Sequence, residues 1–314
     1  MLLYPYMSKI LVTGGAGFIG STLVDKLISE NHEVVVIDDL SSGRKDYVNS
    51  KARFYEIDIC SPKVAKIFKK EKFDFVYHLA AQIDVRISVE KPEYDNKINV
   101  LGGLNIVQNC HLSKVKKIIM ASTGGAIYGE AEEIPTSEAS PTYPVSPYGI
   151  HKLTLEKYLN YYYQVYGLNY TVLRFSNVYG PRQFKGGEAG VIAIFIDNAV
   201  KGLESFQYGD GLQTRDFVYV DDVVNGLFLA LNIDCPSEIN IAHGTETTLL
   251  DLRRDIEKAL DAPIKIKKMP GKAGEQRRSC LSFARAKDVL NWEPQVNLEE
   301  GIKRTIAWAK SVKK

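Results

Sequence analysis

The chain has 314 residues, 45% of them hydrophobic and 25% charged, with 40 Lys and Arg against 38 Asp and Glu. That composition excludes a disordered or collagen-like chain, and a formal charge of +2 gives no electrostatic basis for nucleic acid or a polybasic membrane anchor. At about 150 residues per domain, the length points to roughly two domains, large enough to bury a core without staples.

In chain order, Met1 to Met7 is too short for a secretory apolar region and reads as a short extension. Ile10-Leu11-Val12 is a buried strand leading into a glycine-rich turn, and 23–29 has helical spacing. Val34-Val35-Val36-Ile37 is a β-branched run ending in Asp38. Residues 54–59 form the next strand, 62–70 a basic amphipathic helix, 75–79 a buried run, 97–111 a helix and 117–121 a strand. Strands apolar on both faces that alternate with helices predict a doubly wound parallel sheet of the α/β class. Beyond 169 the pattern loosens into a strand at 170–175, helices at 191–201 and 221–231, and an extended stretch at 213–220. The expected division is a cofactor domain over 8–170 and a smaller substrate domain over 171–314, interleaved with the first.

Cys60, Cys110, Cys235 and Cys280 are scattered, with no Cys-x-x-Cys, so a reducing, cytoplasmic setting is expected rather than a disulfide framework. The five histidines are equally dispersed and give no zinc spacing. No apolar run reaches the roughly 18 residues of a spanning helix, so no membrane partner is expected.

Gly14, Gly17 and Gly20 stand in Thr13-Gly14-Gly15-Ala16-Gly17-Phe18-Ile19-Gly20, after the first strand and at the start of the first helix. Such spacing permits a tight turn, close approach of backbone to a diphosphate, and close helix–strand packing. Asp38 lies 18 residues beyond Gly20, at the end of the second strand, placed to accept both hydroxyls of an adenosine ribose. NAD is therefore the expected cofactor, although Arg44 nearby could accept the 2′-phosphate of NADP. Further on, Ser146-Pro147 suits a helix start, which sets Tyr148 and Lys152 one turn apart on one face. A phenol with a pKa near 10 is a poor base at neutral pH, and an ammonium beside it favours the phenolate. The pair suits acid/base work on a hydroxyl whose carbon loses hydride.

The glycine loop, Asp38, His78-Leu79-Ala80-Ala81, Ser122-Thr123 ahead of Tyr128-Gly129, and Tyr148-x-x-x-Lys152 together resemble the extended short-chain dehydrogenase/reductases. The likeness continues through Arg174-Phe175-Ser176-Asn177, Gly209-Asp210-Gly211, Arg215-Asp216-Phe217-Val218-Tyr219-Val220-Asp221-Asp222 and Leu290-Asn291-Trp292 to Pro294. Within them the chain is most similar to nucleotide-sugar 4-epimerases of the UDP-glucose/UDP-galactose type. The resemblance implies that Tyr148 removes and returns a sugar C4 proton around a 4-keto stage, with Lys152 holding the nicotinamide ribose. It implies cofactor contacts from Gly14, Gly17, Phe18, Ile19 and Gly20, then Asp38, Asp39, Ser42 and Gly43 around the ribose. Asp58 and Ile59 follow at the adenine, then Leu79, Ala80, Ala81, Asn99 and Phe175. For the UDP-sugar it implies Asn177, Val191, Arg215, Lys272, Glu275 and Ser279, and a homodimer through the helices near 97–111 and 148–164.

Two departures stand out. Lys272 replaces an arginine of the resembling pattern and cannot form its planar fork, which shifts phosphate binding toward Arg215, with Arg277 or Arg278 helping. Four residues before Tyr128, where a catalytic hydroxyl is expected, stands Gly124, so the hydroxyl has to come from Thr123 or Ser122. Gly125 and Ala126 lack the acid that related dehydratases and decarboxylases carry after that hydroxyl. A non-catalytic dinucleotide-binding regulator is the third reading, and it would need neither Tyr148 nor Lys152. Ser279 stands where a bulky aromatic restricts some epimerases to plain hexoses, so N-acetylated sugars are expected to fit.

Overall fold

The computed structural model describes residues 7–183, 190–233, 236–271 and 276–312. The β-branched runs form parallel strands: β1 (Lys9–Thr13), β2 (Glu33–Asp38), β3 (Arg53–Glu56), β4 (Phe75–His78), β5 (Lys117–Thr123) and β6 (Asn169–Phe175). A seventh strand, Ser237–Ile241, joins them beside β6. The order is seventh–β6–β5–β4–β1–β2–β3, with every pairing parallel. Strand order reverses at β1, between β2 and β4, and ligands of such sheets bind beyond the carboxyl ends at that switch point.

Side chains alternate along each strand, so the core divides into two layers. Ile10, Val12, Val34 and Val36 pack with helix α1 (Phe18–Ser29) and the Val220–Leu229 helix. Leu11, Val35 and Ile37 pack with the Lys63–Glu71, Gly103–Leu112 and Pro147–Tyr166 helices. The boundary expected at 170/171 falls inside β6, and the seventh strand comes from well beyond it. Helices Val191–Lys201, Leu249–Leu260 and Leu298–Ser311 pack into the same hydrophobic cluster as β1, so the C-terminal part shares a core with the sheet.

Three elements differ from the sequence reading. The helix expected at 97–111 opens with a wider π-helical turn, Lys97–Gly102, before Gly103–Leu112. Both glycines at the joint are crowded: a Cβ on Gly103 would lie 2.4 Å from Leu155 Cδ2, and one on Gly102 2.8 Å from Ile59 Cδ1. The extended stretch at 213–220 is two short strands, Thr214–Arg215 and Phe217–Tyr219, interrupted by the fully buried Asp216. The helix expected to run to 231 ends at Leu229 and closes in the 3₁₀ turn Ala230–Asn232.

Cys60, Cys110 and Cys280 are free thiols. No helix among the described residues is long and apolar enough to cross a membrane, and none of their His, Cys, Asp or Glu groups forms a metal-holding cluster.

Candidate active site

The turn after β1 is built from close backbone contacts. Gly14 adopts φ +73°, its N–H donates to Ile37 O at 2.9 Å, and Gly17 N–H donates back to Gly14 O at 3.1 Å. A Cβ on Gly14 would lie 2.6 Å from Ala80 N, and one on Gly20 only 2.0 Å from Gly14 O. Gly17 caps α1 without a side chain, so the first-turn amides at Phe18 and Ile19 face the crevice unobstructed. The loop after β4 closes the other side. Leu79 N–H donates to Thr13 O at 3.1 Å and Ala80 N–H to Thr13 Oγ1 at 3.3 Å, leaving Leu79, Ala80 and Ala81 half-buried along the crevice.

At the end of β2, Asp38 is buried and accepts Ala16 N–H at 3.0 Å through one oxygen and Leu40 N–H at 2.9 Å through the other. Burial raises its carboxyl above the usual range, and these two amides oppose the rise. Each oxygen keeps a lone pair for a ribose hydroxyl. A Cβ on Gly43 would lie 2.8 Å from Asp38 Oδ1, so the following loop folds close over the carboxylate. Asp39 and Ser42 are exposed on that loop, Asp39 accepting Ser41 N–H at 2.9 Å. Arg44 is held in an exposed two-point pair by Asp46, at 3.0 and 2.7 Å. Asp58, exposed, and Ile59, buried, follow β3.

The helix that carries the acid/base pair starts as its sequence dictates. Ser146 Oγ accepts Gly149 N–H at 3.2 Å, Pro147 takes the first position, and Gly167 at φ +71° ends the helix. A Cβ on Gly149 would lie 2.5 Å from Ala126 O, so the glycine lets the helix start pack onto the turn that follows β5. Tyr148 is half-buried and Lys152 only 4% exposed. Burial pushes the Lys152 ammonium down to about 8, while the charges of Glu156 and Asp95 pull it upward. Beneath it, His78 donates or accepts at Thr13 Oγ1, 2.8 Å away. Burial, helped by Lys152, holds His78 down to about 3, so it is neutral. A buried ammonium costs several kcal/mol unless polar groups meet it, and a ribose hydroxyl at this position would do so. The cleared helix N-terminus, the acceptor pair of Asp38 and this ammonium together fit a dinucleotide.

The two candidate hydroxyls differ. Ser122 is buried, and its hydroxyl donates to Glu156 Oε1 at 2.5 Å. Glu156 is also paired with Arg174 at 2.7 and 3.3 Å, and Arg174 donates to Tyr128 OH at 2.9 Å. Ser122 thus serves this buried network, and Thr123 is half-buried at the strand end, outside that network. The glycine at 124 has a packing reason, because a Cβ there would lie 2.2 Å from Leu281 Cδ1. A polar cavity of about 630 Å³ lies behind Glu156 and Arg174, lined also by Glu138, Tyr170 and Glu238; it contains none of the expected site residues.

Across the crevice, Asn177 and Arg215 flank Asp216. Asn177 N–H donates to Asp216 O at 2.9 Å, and Arg215 Nη1 donates to Thr214 O at 2.7 Å. The Asp216 carboxylate accepts N–H groups of His243 at 3.0 Å, Gly244 at 3.1 Å and Leu281 at 3.1 Å. It thereby fixes the segment of Ser279, which is 6% exposed. Val191 begins its helix. Arg277 and Arg278, expected to help with phosphate, are engaged by Asp210 and Glu246. Lys272 and Glu275 lie outside the described residues. Asn99 is buried and bonded to Gln82 and Asp95, so it braces the loop after β4. Phe175 is buried at the end of β6. Sequence reasoning gave no role to Asp95, Glu156, Asp216 or Leu281. Charged residues inside motif-rich runs were the available signal for Glu156 and Asp216, whereas Asp95 stands in the polar run Lys91-Pro92-Glu93-Tyr94-Asp95-Asn96-Lys97 and gave none.

The profile of the NAD dependent epimerase/dehydratase family matches residues 10–242. A UDP-glucose 4-epimerase of Mycolicibacterium smegmatis is 42% identical over 304 residues, 95% of this chain and 97% of that protein. The crystal structure of UDP-glucose 4-epimerase from Thermotoga maritima with UDP-glucose superposes with a TM-score of 0.96 at 44% identity, covering 98% of this chain and 100% of that one. The complex of Thermus thermophilus UDP-glucose 4-epimerase with NAD gives 0.92 at 39% identity, over 96% and 99% of the two chains.

Proposed function

The chain belongs to the NAD-dependent epimerase/dehydratase family, and from that premise we propose that it is a UDP-sugar 4-epimerase acting through a 4-keto intermediate. The observation that carries this reading is the placement of Tyr148 one turn from a buried ammonium, Lys152, on the helix beside the glycine crevice. When bound, NAD supplies the acceptor and then the donor for the C4 hydride. Gly14, Gly17, Phe18, Ile19 and Gly20 hold its diphosphate and Asp38 its adenosine ribose, while Lys152 meets the second ribose.

Tyr148 takes the proton of the C4 hydroxyl and later returns it. A phenol needs help to do so near neutral pH, and the Lys152 charge supplies it by favouring the phenolate. Thr123 orients the same hydroxyl, since Ser122 is committed to Glu156. Asn177, Val191 and Arg215 hold the UDP portion, which leaves the sugar ring free to present either face. The turn after Thr123 carries glycine and alanine at 125 and 126, with no carboxylate to drive elimination, which disfavours the dehydratase and decarboxylase readings.

The test is conversion across UDP-glucose, UDP-N-acetylglucosamine, UDP-glucuronate and their C4 epimers. Mass-neutral interconversion supports the reading, and a product of different mass replaces it with dehydration or decarboxylation. No turnover with any of them would favour a dinucleotide-binding regulator. Ser279 is small and buried, so both plain and N-acetylated hexoses are expected to react. A homodimer through the Gly103–Leu112 and Pro147–Tyr166 helices completes the proposal. Leu112, Tyr161, Val165 and Tyr166 are exposed there, an apolar surface that a second copy would cover.

A further inference from the structure

Tyr148 and Lys152 stand in the first two turns of their helix, so a small shift of that end displaces both. Two side chains from elsewhere hold it. Ser88 Oγ accepts Tyr148 N–H at 3.1 Å. Asp95 Oδ1 lies 2.7 Å from Nδ1 of His151, the residue just before Lys152. An ionised carboxylate has no proton to give, so the imidazole is the donor. The other oxygen, Asp95 Oδ2, accepts from Gln82 Nε2 at 2.9 Å and Asn99 Nδ2 at 2.6 Å. Asn99 also exchanges two hydrogen bonds with the Gln82 backbone, at 2.8 and 3.0 Å. Gln82 directly follows Leu79-Ala80-Ala81, the stretch lining the opposite side of the crevice. One fully buried carboxylate therefore ties the acid/base helix to the cofactor-side loop.

We infer that Asp95 is a positioning residue: it fixes Tyr148 and Lys152 relative to the Leu79-Ala80-Ala81 stretch and hence to the dinucleotide between them. The inference rests on the epimerase reading. Three donors converge on Asp95, and only a carboxylate offers acceptors to all of them without adding a donor of its own. Its charge acts on Lys152 as well. The groups facing that ammonium are Glu156 on its own helix, Asp95 before the π-helical turn, and neutral His78 on β4.

The test compares Asp95→Asn with His151→Ala, which opens only the helix link. The control is Tyr77→Phe, which removes a buried hydroxyl bonded to Leu227 O on the other face of the sheet. Each variant is assayed for bound NAD, thermal midpoint, KM and kcat against pH, and amide hydrogen exchange over 147–155. In Asp95→Asn, bound NAD and KM should stay near wild type while kcat falls about 10- to 100-fold, the cost of slight misplacement of reacting groups. The alkaline limb of kcat should move to lower pH, because a carboxylate supporting Lys152 is gone. His151→Ala should lose kcat in the same direction but less, and Tyr77→Phe should lose thermal stability with kcat intact. Unchanged kcat and pH limb in both Asp95→Asn and His151→Ala would overturn the inference, as would losses that only track the thermal midpoint. Should Asp95→Asn not fold, His151→Ala decides alone on the same two readouts. If the wild-type protein turns over no UDP-sugar, the epimerase reading fails by itself. Faster exchange at 147–155 in Asp95→Asn than in Tyr77→Phe then still supports the link, and equal exchange overturns it.

Discussion

On the cofactor wall of the crevice, glycines clear the way: Gly14, Gly17 and Gly20 bring backbone within reach of backbone inside a span of seven residues. On the proposed substrate wall, a buried carboxylate does the gathering: Asp216 collects amides from 243, 244 and 281. The first wall is set by local steric fit, the second by long-range hydrogen bonding to charge. The difference teaches that one wall fails when volume is added and the other when charge is removed.

The largest effect is expected from Gly20→Ala, whose new Cβ has no room beside Gly14 O. Overpacking of this kind costs about 1–3 kcal/mol or more, and NAD per chain should drop sharply. By contrast, a Cβ added at Gly167 would meet nothing within 4 Å, so Gly167→Ala should cost only about 1 kcal/mol of backbone strain in thermal unfolding and leave NAD in place. Full NAD occupancy in Gly20→Ala would break the steric account of that wall. Between the walls, Tyr148→Phe should keep NAD bound and lose turnover by about 100-fold or more in initial-rate assays. Near-normal turnover would remove Tyr148 from the acid/base role.

On the substrate wall, Asp216→Asn weakens the acceptor of three backbone amides. Hydrogen bonds to charge are worth about 1.5–3 kcal/mol, so KM for UDP-sugar should rise roughly tenfold while NAD content holds. A fall in NAD content with KM unchanged would reverse the assignment of the two walls. The pH profile sharpens the seam between them. Lys152 sits at about 8, and above that pH its ammonium becomes neutral and stops favouring the phenolate, so kcat should decline as pH rises past about 8. A rate still climbing at about pH 10, near the free phenol value, would contradict this. The smallest and most selective change is Ser279→Tyr, expected to diminish N-acetylated substrates and spare plain hexoses in parallel rate assays. Undiminished N-acetyl activity would end the steric reading of that position.

The cofactor wall was legible in the sequence because its chemistry is local: three glycines, the acid at the end of the second strand, and a Tyr and Lys one turn apart all lie in short windows. The sheet was legible for the same reason, since Val34 to Ile37 cannot be satisfied with one exposed face. What stayed hidden depends on partners far away in the chain. Asp216 gains its meaning from 281, Ser122 from Glu156, and Asp95 from His151. Gly124 looked like a missing hydroxyl and is instead the space that Leu281 fills. Arg277 and Arg278 pair with Asp210 and Glu246, partners 67 and 32 residues away that no local pattern announces.

The central claim, reversible oxidation at C4 under Tyr148 and Lys152, is tested most directly with UDP-glucose carrying deuterium at C4. The account predicts UDP-galactose of the same mass with the label still at C4 and none in water. Label released to solvent, or a product of altered mass, would contradict it.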